Sequence, residues 1–156
     1  MTDRRTIVPA ALQGAYDTWH FAPAVVAGGL VLCSGIVGTS PGGETPSAGG
    51  LEGAAATLSA GDAPLAALQA VRDPEAQFAT AFEALGEVLA AAGASLSEVV
   101  ELTSYHVDIS RHMATSMRVK DRFLVRPYPA WTAIGVSELI VPGGLAEIRA
   151  VALAPD

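Results

Sequence analysis

Three residues near the C-terminus are of types that do chemistry on small molecules: Trp131, Glu147 and Arg149. A carboxylate at the mouth of an apolar cleft has a raised pKa and can hold or deprotonate a water. A guanidinium can clamp a substrate's negative charge. An indole offers a broad apolar face and a single N–H donor. His106 titrates near neutrality and is suited to moving a proton. Each residue also has a plainer structural reading. Glu147 and Arg149 would form an ion pair, or backbone N–H groups would satisfy Glu147. His106 would be a half-buried strand residue with its hydrogen bonds met. His20 stands next to Phe21 at the rim of the same region, and His112 reads as a solvated helix position. No H-x-H or H-E-x-x-H spacing points to a metal, and no glycine-rich strand–turn–helix points to nucleotide phosphates. The expectation is a site with no cofactor and no metal.

These side chains need elements to hold them. W-T-A-I-G-V and E-I-R-A-V-A are rich in aromatic and β-branched residues and read as two strands, with P-G-G as turn chemistry between them. Side chains alternate faces along a strand. Trp131 therefore shares a face with Ala133, and Glu147 shares one with Arg149. As a strand pair, the two would present all four to one surface. Upstream, A-V-V, A-G-G and L-V-L-C-S-G read as a hairpin turning at Gly28-Gly29, and Ser34-Gly35 ends its second strand. Such a glycine either lets a ligand approach the backbone or marks a bulge. Asp73-Pro74 is a helix start, with Phe78, Phe82, Leu85 and Leu89 as one apolar stripe and Gly93 as the stop. V-V-E-L-T-S-Y-H-V-D reads as a strand. Ser110 is placed to cap a second helix with Met113, Met117, Val119 and Phe123 inward, and Pro127 and Pro129 bar its extension. Residues 1–19 read as an arm or loose strand. Residues 38–72 are a long connection biased towards Gly, Ala, Ser and Pro, an insert within one domain spanning 1–156. The predicted order is β-β-loop-α-β-α-β-β, an α+β fold with two helices available to cover one face of a single sheet. Tyr105, Val107, Ile134 and Val136 on the other face call for cover by further copies of the chain.

Composition narrows the function. The chain of 156 residues is 51% hydrophobic, ample for one domain's core. Its net charge is −7, with nine Lys and Arg that form no run, which argues against nucleic acid as the main partner. The single cysteine, Cys33, excludes an intrachain disulfide and reads as a small buried residue. No apolar run reaches membrane-spanning length, and M-T-D-R-R-T lacks a signal peptide's apolar core. The expectation is a soluble cytoplasmic protein with no membrane partner.

F-A-P-A-V-V-A-G-G-L-V-L-C-S-G, D-P-E-A-Q-F, L-A-A-A-G-A-S-L-S-E-V-V, and P-A-W-T-A-I-G-V followed by A-E-I-R-A-V-A resemble the RidA/YjgF family of enamine/imine deaminases. T-S-Y-H-V-D and P-Y-P-A-W-T-A-I-G-V are similar to segments of its YjgH-like branch. The resemblance covers residues 20–38 and 73–153. It implies a chorismate-mutase-like fold, a homotrimer whose sheets line a central barrel, and clefts between subunits. It implies that Ser34 and Gly35 shape the cleft, that Glu147 holds the hydrolytic water, and that Phe21 stands in place of a usual tyrosine. Ser116 stands where some members carry an asparagine. It also places Trp131 where active members carry an arginine that binds the substrate carboxylate.

That replacement matters, because an indole cannot form a bidentate clamp. Arg149 would restore the charge one pleat away. The function expected is a cofactor-free enzyme acting on an enamine, imine or related activated carbonyl compound. Glu147 and His106 are its catalytic candidates. Phe21, Ser34, Gly35, Trp131, Ala133 and Arg149 would contact the substrate. Two alternatives stand beside it: a non-catalytic trimer that binds a small metabolite, and a tailoring enzyme of specialised metabolism.

Overall fold

The computed structural model describes residues 3–39 and 70–156. Most of the long connection, residues 40–69, lies outside them, and so do the readings made on it. Among the described residues the strands are β1 (Arg5–Ile7), β2 (Ala24–Ala27), β3 (Leu30–Cys33), β4 (Ile36–Val37), β5 (Val99–His106), β6 (Ala130–Gly135) and β7 (Ala146–Leu153). The helices are α1 (Gln13–Trp19), α2 (Pro74–Ala91) and α3 (Ile109–Phe123). All seven strands join one mixed sheet in the order β1-β2-β3-β7-β5-β6, with β4 also paired to β7. The segment read as an arm or loose strand thus supplies an edge strand, antiparallel to β2, and a short helix.

Local chemistry accounts for the main elements. Gly28 and Gly29 both have positive φ, 59° and 77°, as a two-residue hairpin turn requires. Asp73 caps α2 by accepting from the Ala76 N–H at 2.8 Å, with Pro74 at the first helical position. Gly93, at φ 84°, ends it, and the Ala94 N–H reaches back to the Leu89 carbonyl at 2.9 Å. Phe78, Phe82, Leu85 and Leu89 are all buried against the sheet. Phe82 stacks on Phe123 of α3 at 5.3 Å between centroids, which joins the two helices over one face.

The structure corrects α3 in two respects. Asp108, not Ser110, is the N-cap, held at φ 50°, a left-handed position that a short polar side chain tolerates. Ser116 and Val119 are the buried positions, while Met117 is 42% exposed. Ser116, Val119 and Phe123 recur at three- and four-residue spacing along one stripe, and Met117 is rotated off it.

The second correction concerns the surface around the candidate site. β6 and β7 are not a strand pair, because β5 lies between them, parallel to β6 and antiparallel to β7. The register puts Trp131, Ala133 and Gly135 beside Leu102, Ser104 and His106, on the face the helices cover. Glu147 and Arg149 stand opposite Tyr105 and Thr103, on the open face. Ile134 at 41% and Leu153 at 50% exposure share that open face. The alternation inferred from the sequence holds within each strand, but the two strands point their chemistry to opposite sides of the sheet.

Candidate functional site

The residues at the start and middle of the predicted set do come together. Ser34 ends the hairpin with its hydroxyl donating to the Ala22 carbonyl at 2.6 Å and its N–H to the Pro23 carbonyl at 2.9 Å. This ties the Ser34-Gly35 corner to the segment after Phe21, which is half-buried, its ring 6.4 Å from that of Trp19. β4 follows, and Val37 is the register partner of Glu147. The Glu147 carboxylate lies over Gly35 so closely that a Cβ there would overlap Glu147 Oε1. Glycine is therefore needed at 35 for the carboxylate to occupy its place.

Glu147 is half-buried, and no hydrogen bond or ion pair reaches its carboxylate among the described residues. Loss of water raises its pKa above the ordinary carboxylate value. The ion pair with Arg149 does not form: Arg149 is exposed on the same strand face, and Glu147 stays unpaired. Tyr105, directly across from Glu147 on β5, is a neighbour that the sequence reading treated only as surface to be covered. Its position follows from the period-2 alternation of T-S-Y-H once the register is known.

Trp131 and His106 form a separate group on the covered face. Trp131 Nε1–H donates to Ser104 Oγ at 2.9 Å, and Ser104 Oγ lies 2.8 Å from His106 Nε2. Lys120 Nζ sits 4.8 Å from the centroid of the Trp131 ring. The indole N–H is thus already used, and the ring packs partly against the main core. His106 is 1% exposed, and burial lowers its pKa. Ser104 links the two, a role that sequence reasoning missed. His106 and Glu147 lie on opposite faces of the sheet. Ala133 adjoins Ser104 in the register, on the Trp131 side. Cys33 is buried, and desolvation pushes its thiol up to about 11. Among the described residues, no three His, Cys, Asp or Glu side chains gather as a metal site would need. No described helix is long and apolar enough to cross a membrane.

What the arrangement offers is a desolvated carboxylate above a glycine corner, with an aromatic residue near its rim. Comparison with known proteins places the chain and its fold. A family model described as Endoribonuclease L-PSP matches residues 14–154. The RutC family protein YjgH of Escherichia coli K12 is 30% identical over 157 residues, covering 100% of this chain and 99% of that protein. The solved structure of protein YjgH superposes with a TM-score of 0.74 at 28% identity, covering 98% of each chain. That of RidA from an Antarctic Psychrobacter gives 0.67 at 26% identity, covering 96% of this chain and 98% of that one. Such agreement from end to end, in sequence and in fold, makes the chain a member of the Endoribonuclease L-PSP family, the RidA/YjgF group.

Proposed function

We propose that the protein is a cofactor-free hydrolase of an enamine, imine or related activated carbonyl compound, working in clefts between the subunits of a homotrimer. The observation that carries this is the unpaired, desolvated Glu147 carboxylate over Gly35. Family membership supports a small-molecule-processing role. Glu147 accepts a proton from water as the water oxygen attacks the imine carbon, then returns the proton to the nitrogen. Glu147 then takes the hydroxyl proton of the carbinolamine so formed and passes it to the nitrogen, and the C–N bond breaks as the C=O bond forms, leaving a carbonyl compound and ammonia. A carboxylate with a raised pKa is a stronger base than an ordinary one and remains able to give the proton back. The Ser34 N–H is already given to the Pro23 carbonyl, so the Gly35 N–H is the group that would stabilise charge developing on the substrate.

The cleft between copies follows from the faces of the sheet. Within one chain Trp131 and Glu147 lie on opposite faces, so a ligand that meets both must sit where two copies meet. β6 is an edge strand, and it carries Trp131 and Ala133 to such a boundary. Phe21 and Arg149 then complete the binding surface. The test is ammonia release from a panel of bulky or uncharged imines by wild type and Glu147→Gln. A positioned acid–base group contributes about 10²–10⁴ in rate, and the variant should lose that much. Equal turnover by the two proteins would sink the proposal.

One observation favours a second reading, a trimer that binds a small metabolite without turning it over. The Trp131 N–H is committed to Ser104 and supplies no anchor for a substrate carboxylate. Capture of ligands from a metabolite extract, followed by an assay of each for turnover, separates the two. The tailoring-enzyme reading leaned on the long connection, most of which lies outside the described residues.

A further inference from the structure

The charges of this chain are segregated. Five of its nine Lys and Arg residues, but only one of its sixteen Asp and Glu, lie within residues 109–128, which hold α3 and the loop after it. That segment carries +4 in a chain of −7, which leaves −11 on the rest. α2 lies beside α3 over the same face of the sheet. It carries Glu75, Glu83 and Glu87, all exposed, and no Lys or Arg. An acidic helix and a basic helix therefore stand side by side on the outer surface. That surface is the one away from the open sheet face, so copies assembling over the open face leave it in water.

Within α3 the basic residues are ordered. Arg111, Arg118 and Arg122 stand seven and four residues apart, which puts them in one row. All three are exposed, rotated away from the buried Ser116 and Val119. At 1.5 Å per residue the row is about 16 Å long, and Arg126 follows just past the helix end. Arg122 pairs with Glu75 at 3.2 Å. Arg118 reaches a neutral group, the Thr115 hydroxyl at 3.1 Å. The Arg126 guanidinium lies 5.3 Å from the centroid of the Tyr128 ring. Arg111, Arg118 and Arg126 have no ion pair among the described residues. A second feature is apolar. Met117 is 42% exposed, and Val125, at 64%, is the most exposed large hydrophobic residue among those described. Arginine and methionine around an apolar centre are the composition that protein interfaces favour.

We propose that the outer row of α3 is a docking surface for an acidic segment of a partner protein. Carboxylates of the segment accept from the forks of Arg111, Arg118 and Arg126, and an apolar side chain rests on Met117 or Val125. The acidic neighbour decides the class of partner. Packed helices have axes about 8–10 Å apart, so a polyanion or an anionic membrane broader than one helix would overlie Glu83 and Glu87 as well as the arginines. Charges repel over a screening length of about 8 Å, which disfavours both. A single peptide segment lies along α3 alone and meets one sign of charge. The surface shares no residue with the Glu147 site and functions whether or not Glu147 is catalytic.

The experiment titrates the full-length protein, at low salt, into a labelled synthetic peptide of Glu, Ala and Leu long enough to span the row, read by fluorescence anisotropy. The same peptide with Lys for Glu, polyuridylate and phosphatidylserine vesicles are the comparison probes. The acidic peptide should bind saturably and more weakly as salt is added. An exposed ion pair contributes a factor of about two to five, so Arg111→Gln, Arg118→Gln and Arg126→Gln combined should weaken binding about tenfold. The three sites are exposed, and circular dichroism confirms that the variant is folded. Val125→Ser should weaken binding at high salt as well, where the charges are screened. Glu147→Gln should bind the peptide as wild type does. No saturable binding, equal binding by the triple variant, or tighter binding of the Lys peptide, polyuridylate or the vesicles than of the acidic peptide would each overturn the assignment.

Discussion

Glu147 is an unusual carboxylate because it is desolvated and forms no ion pair among the described residues, and its linkage to pH has a definite sign. Its folded-state pKa lies above the ordinary value of 4.5, so the folded protein binds the proton more tightly than the unfolded chain. Ionised Glu147 therefore costs stability at neutral pH, and the cost fades as pH falls through its raised value towards 4.5. Glu147→Gln should melt higher than wild type at pH 7, with the gap closing as the solution is acidified. A lower melting temperature would mean that a hidden partner holds the charge. His106 acts in the opposite direction: its lowered pKa means stability is lost as pH drops below 6.5. Gly35→Ala tests the site by geometry, since the new methyl displaces the tip of a flexible side chain, not backbone. The fold should survive while turnover falls as in Glu147→Gln, checked by comparing activity with circular dichroism. Trp131 makes a separate prediction. With its N–H bound to Ser104, hydrolysis of small 2-imino acids made by an amino-acid oxidase should be negligible, and ammonia release matching a RidA protein's would refute this.

At the scale of elements, the junction between α2, the ends of the long connection and the loop before β7 depends on Gln77. This residue is 1% exposed. Its Nε2 donates to the Val71 and Gly143 carbonyls at 2.8 and 3.1 Å, and its Oε1 accepts from the Leu145 N–H at 2.6 Å. Gln77→Leu keeps much of the volume and leaves those backbone groups without partners. The expected loss is roughly 3 kcal/mol in denaturant unfolding, from several unmet buried groups. Gly38 shows a second constraint at the same junction. A Cβ there would overlap the Gln77 carbonyl, which is helix backbone and cannot swing aside. Gly38→Ala should therefore destabilise by about 1–3 kcal/mol, as overpacking does, whereas the fold should tolerate Gly35→Ala. The pair separates a glycine kept for function from one kept for packing.

For the whole molecule, the open face is the feature that asks for partners. Tyr105, Val151 and the exposed Ile134 and Leu153 share it with Thr103, Thr132, Glu147 and Arg149. A sheet covered by helices on one face alone leaves this mixed surface in water unless copies assemble over it. Light scattering should give a mass three times the chain's 15.9 kDa. A stable monomer at micromolar concentration would remove both the barrel and the clefts between subunits.

The sequence alone determined the elements whose signals are local. Gly28-Gly29 specified the hairpin because few residues accept positive φ, and Asp73-Pro74 with the Phe78, Phe82, Leu85, Leu89 stripe specified α2 through capping and period. Only the family resemblance, carried by the order and spacing of several motifs together, put Ser34, Gly35 and Glu147 in one cleft. The tertiary structure decided which strands are neighbours. Pairing is non-local, and the strand pattern of W-T-A-I-G-V and E-I-R-A-V-A is equally satisfied whether they pair with each other or both with β5. Inserting β5 between them sent Trp131 to the covered face and Glu147 to the open one. The same choice joined Trp131 through Ser104 to His106, a relay that spacing along the chain could not disclose because its members come from two strands. It also left Glu147 without Arg149: two residues on one strand face share a direction, but only the packed fold sets whether their charges meet.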